Sequence, residues 1–213
     1  MLIGLTGTFG SGKSSVLRLF RKEGASTVSA DRIVHSLLRC KTVKEAVKNI
    51  FGPAVLKKGQ VNRTALAKIV FADKEKRRQL EELLHPIVKE QILKDAKRIS
   101  RQKKPVVAEV PLLFESGFLE PFDYIICVSA KPEVIRIRMQ KKGITAAEVE
   151  NRSSSQWKVS EKEKRSDAII ENSESRAKTE KQVRALMDRL KHNVLRGVPL
   201  RNKTEKVALR KIL

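Results

Sequence analysis

The sequence predicts an α/β fold, a parallel β-sheet flanked by helices. Three observations carry that prediction. Short runs of almost purely apolar residues recur at 2–5, 105–110 and 123–130, too short for helices and too continuous for half-exposed strands. Between them the apolar residues return every three or four positions, so strands alternate with helices, as in a parallel sheet with helical crossovers. At 213 residues, 40% of them hydrophobic, the chain can bury a substantial core and is too apolar for general disorder.

The first strand is expected from Leu2 to Thr6, and a helix follows from about Gly12 with Val16, Leu17, Leu19 and Phe20 as its buried stripe. Gly24, just after Arg21 and Lys22, suits a helix C-terminus. Ser26 to Ser29 form a second strand leading to Asp31. From Asp31 to Arg101 the texture turns helical, with breaks at Gly52-Pro53 and Gly59. Leu80, Leu84, Ile87, Val88 and Ile92 mark the clearest helix, which Pro86 is expected to kink or restart. Strand signals return with PVVAEV and DYIICVSA. A helix near Glu133 to Lys142, a polar segment from Arg152 to Arg165, a short strand at Asp167 to Glu171 and a helix carrying Val183, Leu186, Met187, Leu190 and Val194 complete the reading. Beyond Gly197 and Pro199 the chain is a basic tail.

A formal charge of +22 admits two readings, work on polyanions or a basic solvated surface. A nucleic-acid-binding ATPase would need aromatic stacking platforms or a recognition module, and seven Phe, one Trp and one Tyr show no such arrangement. No specific nucleic-acid partner is therefore expected. Cys127 lies in an apolar run, and both it and Cys40 are expected to be reduced and structural. The first apolar run is broken by Gly4 and Thr6, and no long apolar stretch follows, so no membrane association and a cytoplasmic location are expected.

The segment GTFGSGKSS, residues 7–15, fits GxxxxGK[ST] between a strand and a helix. Its glycines let the backbone curl so that successive N–H groups point at one anion, with the helix dipole behind them. Gly7, Gly10, Ser11, Gly12, Lys13, Ser14 and Ser15 are the expected nucleotide site. Lys13 would reach the β and γ phosphates and the Ser14 hydroxyl would ligate Mg²⁺, which makes ATP and Mg²⁺ the expected cofactors. Asp31 falls at the carboxyl edge of the sheet, where it would either accept the proton of an acceptor hydroxyl or cap the next helix; local sequence leaves both open.

The blocks GLTGTFGSGKSSV, SADRIV, VNRTALAKIVFAD with LLHPIV, VPLLFESGF, NRSSSQ and RSDAIIENS, in that order from Leu2 to about Ser173, resemble dephospho-coenzyme A kinase. The resemblance implies a P-loop kinase-like sheet with a helical acceptor-binding insertion and a mobile helical lid. It implies a core at 1–30 and 102–196, an acceptor domain at 31–101, a lid at 144–166 and a basic tail at 197–213. The implied activity moves the ATP γ-phosphoryl group to the ribose 3′-hydroxyl of dephospho-coenzyme A. Asp31, Lys13 and Arg152 are then the expected catalytic residues, and Thr8, Asp31, Arg63, His85, Leu113 and Glu115 the acceptor side. For His85 a substrate-adjacent and a satisfied core imidazole stay equally open, while His35 and His192 are expected at the surface. Of the lid cations Arg152 is singled out, and the lysines, Lys162 among them, are expected to be solvated. Ser29 stands where many members carry Asp, Glu109 where Asp is frequent, and Lys141 or Lys142 where an arginine is usual, with Arg138 as a substitute. A kinase of another small alcohol is the competing enzyme reading.

Overall fold

The computed structural model describes residues 1–100 and 104–195; the basic tail at 197–213 and the side chain of Val194 lie outside the described residues. Strand β1 (Leu2–Gly7) is buried along all but its first residue and forms the centre of a parallel five-stranded sheet. The phosphate loop leads from it into α1 (Lys13–Lys22), which ends at Gly24 with φ 93°, a left-handed geometry open to glycine at little cost. Strand β2 (Ser26–Ser29) follows at the sheet edge, then α2 (Ala30–Leu37) and α3 (Lys41–Phe51).

A short hairpin interrupts the helices, β3 (Leu56–Lys57) pairing antiparallel with β4 (Gln60–Val61). The sequence marked only a break there; the hairpin turns on Lys58 and Gly59, both at positive φ. Helix α4 (Arg63–Ala72) starts where the Asn62 side chain accepts the Ala65 N–H at 3.2 Å. Helix α5 (Lys74–Ser100) runs unbroken through Pro86, which corrects the expected restart. Proline removes one helical hydrogen bond at a cost of about 3 kcal/mol, and burial on both sides outweighs it. Leu84 ahead of Pro86 packs with Val43, Val47, Val55 and Leu66 of the helical insertion, while Val88, Ile92 and Ala96 beyond it pack under the sheet.

Strands β5 (Val106–Glu109) and β6 (Tyr124–Ser129) flank β1, and β7 (Ala168–Glu171) closes the far edge, giving the order β2-β5-β1-β6-β7. Between β6 and β7 come α6 (Pro132–Gln140), α7 (Ala146–Ser153) and α8 (Val159–Arg165). A capping box between Thr145 and Glu148 starts α7. Helix α9 (Arg176–Leu195) docks Val183, Leu186, Met187 and Leu190 with α1 on one face of the sheet; α2, α5 and the 111–122 turn cover the other. Among the described residues no helix is long and apolar enough to cross a membrane.

The chain fills one side of β1 with β2 and β5 before crossing to β6 and β7, so the order reverses at β1. In open α/β sheets a ligand crevice forms beyond the carboxyl strand ends at such a reversal. Leu5 is opposite Glu109 and Glu109 opposite Ser29, so the ends of β1, β5 and β2 share that edge.

Candidate active site

The phosphate loop is held from both sides. Gly12, at φ 94°, is the N-cap of α1, and a Cβ there would collide with Asn172 Nδ2. Asn172, buried just beyond β7, donates that amide to the Ser11 carbonyl at 2.8 Å and accepts the Thr179 hydroxyl at 3.0 Å. Only glycine permits both the backbone geometry and the close approach. Within the loop the Lys13 ammonium donates to the carbonyls of Gly7 at 3.1 Å and Thr8 at 2.8 Å. Burial pushes the Lys13 pKa down to about 8, against the attraction of Glu109 and Asp31.

Glu109, 3% exposed, ends β5 directly beneath α1. Its carboxylate accepts the Ser14 hydroxyl at 2.9 Å and the Ser29 hydroxyl at 3.2 Å. Ser29 thus supplies a donor to Glu109 where an Asp would have repelled it. The hydroxyl of Ser14 and the carboxylate of Glu109 are hard oxygen donors, the set that suits Mg²⁺. The Cys127 thiol on β6 is pushed up to about 12 by burial, and both cysteines are free.

A cavity of about 1130 Å³ opens above this edge. Gly10, Gly12, Lys13, Ser14 and Ser15 line its floor, and Asp31 stands on the wall at the first turn of α2. Ser29, not Asp31, is the N-cap of that helix, so Asp31 faces the cavity without a capping bond. The opposite wall is α5, whose Arg77, Glu81, His85 and Lys89 recur at helical spacing. His85 is half-buried there, and desolvation holds its imidazole below the ordinary pKa.

On the third side stands the segment with α7. The Arg152 guanidinium lies over the Phe9 ring at 5.0 Å and the Phe71 ring at 5.4 Å. Gln156 Oε1 accepts the Phe9 N–H at 2.8 Å. Arg138 of α6 also lines the cavity, and its Nη1 is buried beside Gly12 with no hydrogen-bond partner among the described residues.

Other expected site residues fall elsewhere. Leu113 is 0% exposed in the core beside Gly4, and its neighbour Leu112 takes the cavity wall instead. Arg63, at the exposed start of α4, meets His35 Nε2 at 3.3 Å, away from the cavity. The Arg63 charge, more than desolvation or the charge of Arg39, holds the partly exposed His35 below its usual pKa. Thr8 offers its carbonyl to Lys13 and does not line the cavity, and the Ser11 hydroxyl is buried with no hydrogen-bond partner among the described residues.

Lys162 is the clearest correction. It is 0% exposed, with Nζ 2.8 Å from Glu115 Oε1 and 3.1 Å from the Pro111 carbonyl. Glu115 also accepts the Trp157 N–H at 2.8 Å, so it ties α8 to the turn after β5, and it borders a 140 Å³ recess that shares Arg77, Glu81 and His85 with the main cavity. Lys162→Met should cost about 3–5 kcal/mol of stability, because it strands a buried carboxylate. Urea unfolding measures this, and Lys162→Met with Glu115→Gln together should recover most of the loss.

Sequence reasoning also passed over Phe9, Phe71, Arg77 and Asn172. The step of four from Arg77 through Glu81 to His85 was a usable signal; Phe9, Phe71 and Asn172 lie inside the blocks that carry the resemblance, but no local pattern gave them a role.

A glycine-rich loop between the central strand and a helix, opening on a cavity walled by an inserted helical body, defines the class of a P-loop kinase. The dephospho-CoA kinase family model matches residues 1–178. Curated dephospho-CoA kinases from Symbiobacterium thermophilum and Aquifex aeolicus are 40% and 39% identical, covering 86% and 88% of this chain and 79% and 96% of their own. The structure of a dephospho-CoA kinase from Campylobacter jejuni superposes with a TM-score of 0.60 at 25% identity, over 88% of this chain and 96% of that one. The crystal structure of TT1252 from Thermus thermophilus reaches 0.75 at 32% identity, over 89% and 97%. The chain belongs to the dephospho-CoA kinase family.

Proposed function

We propose that the protein transfers the γ-phosphoryl group of ATP to the ribose 3′-hydroxyl of dephospho-coenzyme A, the last step of coenzyme A biosynthesis, and does so in the cytoplasm. One observation carries the reading: a single cavity joins the phosphate loop, the Asp31 carboxylate and the basic wall of α5. A triphosphate fits the loop amides and Lys13, and an anionic acceptor fits Arg77 and Lys89. His85, which the resemblance already implied, stands on the same wall as Arg77 and Lys89, which it did not name.

The acceptor oxygen forms the new bond to the γ-phosphorus as the bond to the β-bridging oxygen breaks, and ADP leaves. Asp31 orients the acceptor hydroxyl and takes its proton. Lys13 and the loop amides hold the phosphate oxygens on which charge gathers. Arg138 has an unused donor for the same oxygens. Ser14, with Glu109 behind it, would hold Mg²⁺, which when bound neutralises part of the phosphate charge. Residues 144–166 act as the lid over this chemistry, Arg152 contributing its cation and excluding water as acceptor.

ADP release measured with and without dephospho-coenzyme A tests the reading, with adenosine and DNA as controls. Release that depends on dephospho-coenzyme A supports it; release stimulated only by nucleic acid overturns it.

The lowered pKa of Lys13 adds a pH dependence. Below pH 8 the ammonium is present before ATP arrives. Above it the free protein has lost that proton and must regain it on binding, so affinity falls as pH rises. Calorimetric titration should give a constant ATP Kd below pH 8, weakening by about tenfold per pH unit above, with proton uptake.

A further inference from the structure

Phe71 ends the apolar side of α4 yet is 41% exposed and lines the cavity. Phe9 puts a ring into a phosphate loop whose other work falls to backbone, Lys13 and Ser14. Between these two rings lies the Arg152 guanidinium; among the described residues it makes no hydrogen bond and no salt bridge, and Glu148, the carboxylate whose charge it feels from one turn back, is engaged by Thr145. A carboxylate in place of either ring would hold the guanidinium as firmly, but it would cancel the charge and occupy its N–H donors. Aromatic rings attract the cation through their faces and leave those five donors unspent. The same segment reaches Phe9 a second time through Gln156 Oε1. Phosphate loop, inserted helices and the α7 segment therefore meet at one cation.

We propose that Phe71 is a positioning residue for the transfer: with Phe9 it fixes the Arg152 guanidinium at the cavity wall with its donors free for phosphoryl oxygens. Arg152 does the electrostatic work, and Phe71 acts only through it. This rests on the kinase reading and on the role it gives Arg152.

The test is a double-mutant cycle on the full chain, with Phe71→Ala, Phe71→Leu, Phe71→Tyr, Arg152→Ala and the Phe71→Ala, Arg152→Ala pair. Phe71→Ala should lower kcat about tenfold, with the ATP Kd within about twofold of wild type. Phe71→Leu keeps apolar bulk without a π face and should behave like Phe71→Ala, while Phe71→Tyr should restore the rate. In the Arg152→Ala background Phe71→Ala should have no further effect. An unchanged kcat for Phe71→Ala and Phe71→Leu, or an equal loss with and without Arg152, overturns the proposal. A fully active Arg152→Ala variant would instead overturn the role assigned to Arg152, and absence of wild-type turnover the kinase reading itself.

Discussion

Lys13→Met should lower kcat about 10³-fold, the scale of losing a preorganised donor aimed at developing charge. The ammonium is buried between the Gly7 and Thr8 carbonyls and near Glu109, so it is fixed before substrate arrives. A flexible surface lysine would spend much of its attraction on being ordered; this one has already met that cost in folding. The substitution keeps the apolar stem but leaves the two carbonyls without their donor and the buried Glu109 carboxylate without the attraction of this cation. Some loss of stability is therefore expected as well, and circular dichroism separates it from the kinetic effect. Quench-flow at saturating ATP reads the chemical step. A variant that folds, binds ATP and turns over at the wild-type rate would remove Lys13 from the mechanism.

Asp31→Asn should lower kcat about 10²- to 10⁴-fold, the usual contribution of a positioned general base. The carboxylate stands at the first turn of α2 on the cavity wall, and Ser29 is that helix's N-cap. The amide keeps shape and can still accept a hydrogen bond from the acceptor hydroxyl, but it cannot take up the proton. Acceptor KM should change little while kcat falls. Were Asp31 a structural helix residue instead, Asp31→Asn would leave kcat intact and lower only stability.

The loop from Gly7 to Ser15 was legible because its chemistry is backbone chemistry: glycine at fixed spacing after a strand leaves few alternatives. The sheet was legible because its central strands are buried on both faces and read as unbroken apolar runs. Inside the turn after β5 legibility ended. The block PLLFE brought Leu113 and Glu115 to attention, yet a turn has no period by which to tell a core-facing Leu113 from a cavity-facing Leu112. Lys162 was misread because composition assigns lysine to solvent, and its partner Glu115 lies on a distant segment. Asn172 and Phe71 matter through contacts across the fold, which no local pattern encodes.

The most direct test of the central claim follows the label of γ-³²P-ATP after mixing with the protein, Mg²⁺ and dephospho-coenzyme A. The label should appear in the 3′-phosphate of coenzyme A in step with ADP, with none retained on the protein. Label released as inorganic phosphate whether or not the acceptor is present would contradict the account.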